Sequence, residues 1–302
     1  MSTIVAALDF SDGAGTALRV AADHAARTGA ALHLFHADVL FDGVDSPSAE
    51  VHQTRIAAFA KDKLGAERYA NLDPVVAAGR GLAAAPPILN YVASVGADLL
   101  VTGTHGRRGL RRLVLGSVAS ELLREAVCPV MVVPASKTTM PGPGAPVVAP
   151  LDFSALNEAA LSLAVTWART YGAPLHLVHI VELLGPYPEF YPESLVPSLA
   201  VGTSEAAEAL AAEHDLEERA EAALREIAAQ VRAEGIGNIE LFVGYGHPDR
   251  RIDEHAAEHG AGLIVMATHG LTGFAHALVG SVTEKTVRRA PCAVLTVKAP
   301  SE

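Results

Sequence analysis

The chain has 302 residues, enough for two ordinary domains, and a formal net charge of −11 that argues against general affinity for nucleic acid or anionic membranes. Half of its residues are hydrophobic but only 5% are aromatic, so the core is built from Ala, Val, Leu and Ile, as suits helices packed on a parallel sheet. Its two cysteines, Cys128 and Cys292, cannot form a disulfide framework, fit no metal-binding spacing, and read as buried small hydrophobes.

The opening MSTIVAALDF carries no basic leader, and Asp9 interrupts its apolar run. No stretch approaches the roughly 18 apolar residues needed to cross a bilayer. The expectation is a soluble cytoplasmic protein. In chain order, Ile4–Leu8, Ala31–Ala37, Leu72–Ala78, Leu99–Gly103 and Val130–Val133 read as strands. Helices fit Ala14–Thr28, Glu50–Leu64, Pro86–Val95 and Ser117–Ala126 between them. After residue 136 comes KTTMPGPGAP, a Pro/Gly-rich linker at 137–146 that can form neither a helix nor a central strand. The order then repeats, with strands at Val147–Leu151, Leu175–Val181, Ile239–Val243, Leu263–Ala267 and Ala293–Val297. The segment Glu205–Glu234, uninterrupted and rich in Ala, Glu, Leu and Arg, gives the clearest helix.

The two halves also match in sequence. Leu8-Asp9-Phe10-Ser11 recurs as Leu151-Asp152-Phe153-Ser154, and Leu32-His33-Leu34 with His36 recurs as Leu175-His176-Leu177 with His179. Thr104-His105-Gly106 recurs as Thr268-His269-Gly270, Gly116-Ser117-Val118 as Gly280-Ser281-Val282, and Cys128 as Cys292. The later pairs share a larger offset, so the second copy carries an insertion, which spans 182–204 and includes the aromatic and proline-rich Tyr187–Pro197. The chain is therefore read as two tandem α/β domains, 1–136 and 147–302, each a five-stranded parallel sheet buried between helices.

The segment GTHGRRGLRRLVLGS from Gly103 follows a predicted strand and opens a predicted helix at Ser117. A helix N-terminus offers unpaired N–H groups and partial positive charge, so it favours an anion. Gly116 permits close approach of a phosphate, Ser117 adds a hydroxyl, and Gly103 and Gly106 allow a tight exit from the strand. The second copy has Ala267, Gly270, Gly280 and Ser281 at the same spacing. Ser117 and Ser281 also read as helix caps, and Ser281 with Glu284 fits a capping box.

These glycine–serine spacings, with the LDFS opening and the THG turn, resemble the ATP-binding signature of the universal stress protein family over nearly the whole chain. The resemblance implies a doubly wound, adenine nucleotide alpha hydrolase-like fold in each domain and a site for an adenine nucleotide in each repeat. It implies that Asp9 and Asp152 contact adenine and ribose, and that Ala37, Ile180, Thr102 and Met266 line the adenine pocket. It assigns the phosphate cradle to Gly106, Gly116 and Ser117, and to Gly270, Gly280 and Ser281. ATP as ligand rests on this resemblance, and Mg²⁺ as its companion on general nucleotide chemistry. The family's pairing strand corresponds to Val130–Val133 and Ala293–Val297, which implies an intramolecular pseudo-dimer and leaves a homodimer of whole chains open.

Arg107, Arg108, Arg111 and Arg112 sit in the first loop; they read either as a screen for a triphosphate or as a solvated surface. The second loop lacks them and carries Ala267 for glycine, so the N-terminal site is expected to bind more tightly. His105 and His269 read as hydrogen-bonding loop residues. His33/His36 and His176/His179 lie three apart on strands and face opposite ways, so neither pair can chelate one ion. With no Gly-Lys-Ser/Thr motif and no paired carboxylates beside either loop, the reading is a nucleotide-binding stress-response sensor with at most slow ATPase activity. A slow ATP hydrolase and a ligand-free interaction module are the alternatives.

Overall fold

The computed structural model describes residues 2–40, 48–104, 115–135, 139–154, 157–182, 204–268 and 279–298, the side chains of 204–214 excepted. The linker start, the Tyr187–Pro197 insertion and the loops holding Gly106, Gly270, the four arginines, His105 and His269 lie outside the described residues.

The first half runs β1 (Thr3–Ala7), α1 (Asp12–Thr28), β2 (Ala31–Val39), α2 (Ala49–Leu64), α3 (Ala66–Leu72), β3 (Val75–Gly81), α4 (Ala85–Ser94), β4 (Leu99–Gly103), α5 (Ser117–Glu125) and β5 (Val130–Val133). The second runs β6 (Val147–Pro150), α6 (Asn157–Tyr171), β7 (Leu175–Val181), α7 (Ser204–Ala233), β8 (Ile239–Tyr245), α8 (Pro248–Glu258), β9 (Leu263–Ala267), α9 (Ser281–Arg289) and β10 (Ala293–Val297).

Local chemistry sets these boundaries. Ser11 caps α1 by accepting the Ala14 amide at 3.1 Å, and Gly29 ends the helix with a left-handed φ of 70°. The third strand begins at Val75, not at Leu72 as the sequence suggested. AERYANL instead forms α3, Asp73 closes it at φ 41°, and Pro74 has no amide to give to a ladder.

All ten strands join one sheet in the order β3-β2-β1-β4-β5-β10-β9-β6-β7-β8. Each half is parallel and doubly wound; the halves meet where β5 and β10 pair antiparallel, Met131 facing Leu295. The Thr296 hydroxyl donates to the Val130 carbonyl across this joint at 3.2 Å. Side chains alternate between two cores, as on β1, where Ile4 and Ala6 face one and Val5 and Ala7 the other. The first core lies under α1, α2, α6 and α7, the second under α4, α5, α8 and α9, and both run across the joint. Small residues such as Ala17, Ala21 and Ala25 on α1 let that helix sit close to the strands.

Candidate functional site

In each half the winding reverses between the first and fourth strands, since β1 pairs with both β2 and β4, and β6 with both β7 and β9. A crevice opens there beyond the carboxyl ends of the strands. Asp9 follows β1 and Gly103 ends β4, so the two stand on neighbouring strands at the same edge.

Asp9 is held in one orientation: its Oδ1 accepts the Ser11 amide at 3.0 Å and the Ser11 hydroxyl at 2.6 Å. Asp152 repeats the turn, accepting the Ser154 amide at 2.9 Å and the Asn157 side-chain amide. The Ser154 hydroxyl, freed from the carboxylate, is buried with no hydrogen-bond partner.

Sequence reasoning passed over the residue after each aspartate. Phe10 and Phe153 have φ of 66° and 58°, a region that aromatic residues rarely enter. Each ring lies 4.4 Å from a histidine ring, Phe10 on His36 and Phe153 on His179. Both histidines donate from Nδ1 across the strands, to the carbonyls of Leu8 and Leu151, at 2.7 Å. This Phe–His clasp ties the end of the second strand to the turn that presents the aspartate. Its signal was in the repeat, where both residues recur. His33 faces the other way, to the Tyr91 hydroxyl at 2.9 Å, so the opposed placement expected of His33 and His36 is what the strand provides.

Ala37 and Ile180 sit on β2 and β7 opposite Gly79 and Gly244. A Cβ on Gly244 would come 3.2 Å from the Ile180 Cδ1, so the isoleucine packs over this glycine, whereas at Gly79 Pro87 takes that place at 3.1 Å. The glycines themselves accommodate aromatic rings, Phe35 beside Gly79 and Phe242 beside Gly244. Thr102 and Met266 are buried on β4 and β9.

The helix N-termini differ from expectation in two respects. Gly116 and Gly280 are the caps and Ser117 and Ser281 the first helical residues, so neither serine caps and Ser281 with Glu284 forms no capping box. Moreover, the Gly116 amide donates to the Thr104 carbonyl at 2.9 Å and the Gly280 amide to Thr268 at 2.7 Å. These amides hold each helix against its strand end; the donors an anion can reach begin at Ser117 and Ser281. Both serines are exposed.

Gly103 also has a different role from the one its spacing suggested. A Cβ there would lie 3.2 Å from the Gly13 carbonyl carbon, so the glycine admits the N-terminus of α1. In the second half Thr283 donates to the Ala267 carbonyl at 2.9 Å, where the first half has Ala119. Burial pushes the Cys128 thiol up to about 11 and Cys292 to about 12, away from the reactive thiolate form.

Two doubly wound halves on one sheet, each with a fixed carboxylate beside a helix N-terminus at its switch point, define a tandem α/β protein with a duplicated crevice. The chain belongs to the universal stress protein family, whose model matches residues 1–134 and 145–298. It is 29% identical over 211 residues to universal stress protein Rv2005c of Mycobacterium tuberculosis, across 67% of this chain and 62% of that one. The match thus spans less than two thirds of that relative's length. Among solved structures, the functionally unknown protein PA1789 of Pseudomonas aeruginosa superposes with a TM-score of 0.67 at 21% identity, over 99% of this chain and 92% of its own. A universal stress protein from Archaeoglobus fulgidus gives 0.63 at 20% identity, over 98% and 96%. These structures share the fold. Among the described residues, no helix is long and apolar enough to cross a membrane.

Proposed function

We propose that the chain binds an adenine nucleotide, ATP with Mg²⁺, in the crevice of each half and acts as a stress-response sensor rather than a fast enzyme. The reading is carried by one observation made twice: a carboxylate locked in a turn beside a helix N-terminus that no side chain caps. A locked carboxylate accepts from ribose hydroxyls or an amine without first losing side-chain freedom. Amides at Ser117 and Ser281 face the edge where phosphates belong. Ala37 leaves more room for a base than Ile180, which supports a tighter N-terminal site.

Calorimetric titration of the full chain with MgATP tests this. Two sites of unequal affinity are expected, the tighter one lost in Asp9→Ala. A folded chain that releases no adenine nucleotide on acid extraction and binds none at millimolar ATP would overturn the proposal.

A further inference from the structure

At the opposite edge of the sheet from the second crevice lies a cluster that the nucleotide reading does not use. His176 is the second residue of β7, and His255 and His259 lie one turn apart on the last turn and C-cap of α8. One nitrogen from each imidazole falls within 4.8 Å of the other two. The closest pair, His176 Nδ1 and His255 Nε2, is 3.0 Å apart. Donors of a tetrahedral zinc ion, at Zn–N distances of about 2.0–2.1 Å, stand about 3.3 Å apart.

We propose that His176, His255 and His259 form a binding site for one divalent transition-metal ion of the zinc class. Two histidines at i and i+4 present their rings on one helix face, and the strand supplies the third from across the core. Second contacts already select the coordinating nitrogen of two rings. His176 turns Nε2 to the Glu240 carboxylate at 3.4 Å, which leaves Nδ1 for the ion. His259 donates Nδ1–H to the His255 carbonyl at 2.9 Å, which leaves Nε2. Such carboxylate or carbonyl partners behind a ligand imidazole fix its tautomer and raise its basicity. His255 faces the cluster with Nε2, while its Nδ1 is buried with no hydrogen-bond partner. His176 and His255 are buried and His259 is exposed, so solvent reaches the ion and water completes its shell.

The first half serves as an internal control. His33 occupies the position of His176, but Val75 stands opposite it where Glu240 faces His176. Tyr91 and Val95 take the places of His255 and His259, and His33 bonds the Tyr91 hydroxyl. The same frame therefore accommodates a neutral His–Tyr pair, and the second half departs from it at three positions at once. The differences set two imidazoles, which join His176 as donors, and a carboxylate behind His176 where the first half has a phenol and two valines.

Equilibrium dialysis of the full chain against zinc chloride, after chelator treatment, tests the site. One Zn²⁺ per chain is expected, with a rise in Tm as zinc is added. His255→Tyr, which rebuilds the first half's pair, abolishes the tight site, as does His259→Ala at an exposed position that leaves the fold intact. Glu240→Gln weakens it about 10- to 100-fold, and His33→Ala leaves it unchanged. Absence of stoichiometric zinc in the wild type, or zinc retained by folded His255→Tyr and His259→Ala, overturns the proposal.

Discussion

His24 on α1 lies flat against Trp167 on α6, ring centroids 3.9 Å apart and planes 8° from parallel. Tyr171 lies beside this pair, its ring 5.3 Å from that of Trp167 and 5.9 Å from that of His24; it donates its hydroxyl to Asp23 at 3.4 Å, and that oxygen lies 3.2 Å from His24 Nδ1. With its own proton directed to Asp23, the hydroxyl accepts from His24 Nδ1–H. Arg27 covers the same ring at 4.7 Å. The β5–β10 joint thus has a second fastening on one face of the sheet, made by helices of different repeats.

This stack makes stability depend on pH. Burial holds His24 down to about 4, below its ordinary 6.5. Between these values the unfolded chain takes a proton that the folded chain refuses, so stability is full above 6.5 and falls as pH drops toward 4. The loss between pH 6.5 and 5 is about 2 kcal/mol. Urea unfolding at pH 7.5 and 5 should show His24→Phe losing that much less than wild type; equal losses would refute the assignment.

Trp167 is 3% exposed and packs in the core shared by both repeats. Trp167→Ala should cost about 3–5 kcal/mol, read as a lower urea midpoint, whereas Trp167→Phe keeps part of the stack and loses less.

Phe153 keeps its left-handed backbone while 39% exposed. Replacing it with alanine keeps the strain and deletes the ring; replacing it with glycine deletes both. Phe153→Gly should therefore be about 1 kcal/mol more stable than Phe153→Ala. Equal unfolding midpoints would show that the turn is unstrained.

Asp9 and Asp152 are oriented by equivalent turns, and on the proposed reading the N-terminal site is the tighter of the two. Removing Asp9 should weaken the tighter nucleotide site at least about tenfold, as expected for a charge-assisted hydrogen bond of 1.5–3 kcal/mol. Removing Asp152 should affect only the weaker one. Titration of both variants with MgATP checks the order, and a greater loss from Asp152→Ala would reverse it.

Gly103 tests the close approach of α1. A methyl there meets the Gly13 backbone, which cannot rotate away as a side chain does. Gly103→Ala should cost on the order of 1 kcal/mol, measured by thermal unfolding, and an unchanged Tm would mean that α1 moves freely.

Much of the fold was legible because its signals are local. Strands such as Leu99–Gly103 and Leu175–Val181 are apolar runs bounded by glycine or polar turns, and they form as read. The strand expected from Leu72 failed because seven residues beyond Gly65 form one more helix, whose closure depends on Asp73 adopting a left-handed conformation. At the crevice, Asp9 and Asp152 were visible through recurrence. The phenylalanines beside them recur equally, but backbone strain and a ring stacked on a histidine leave no mark in residue type.

The sequence alone determined the duplication, through motifs that recur at fixed offsets, and the strand–helix alternation, through apolar patterning over short spans. Tertiary structure decided what residues far apart do to one another. It gave the Gly116 amide to the Thr104 carbonyl, laid His24 on Trp167, and set His255 against His176 from 79 positions away. Such contacts arise only when helices settle on the assembled sheet, because packing, and not local preference, chooses which polar atoms become neighbours.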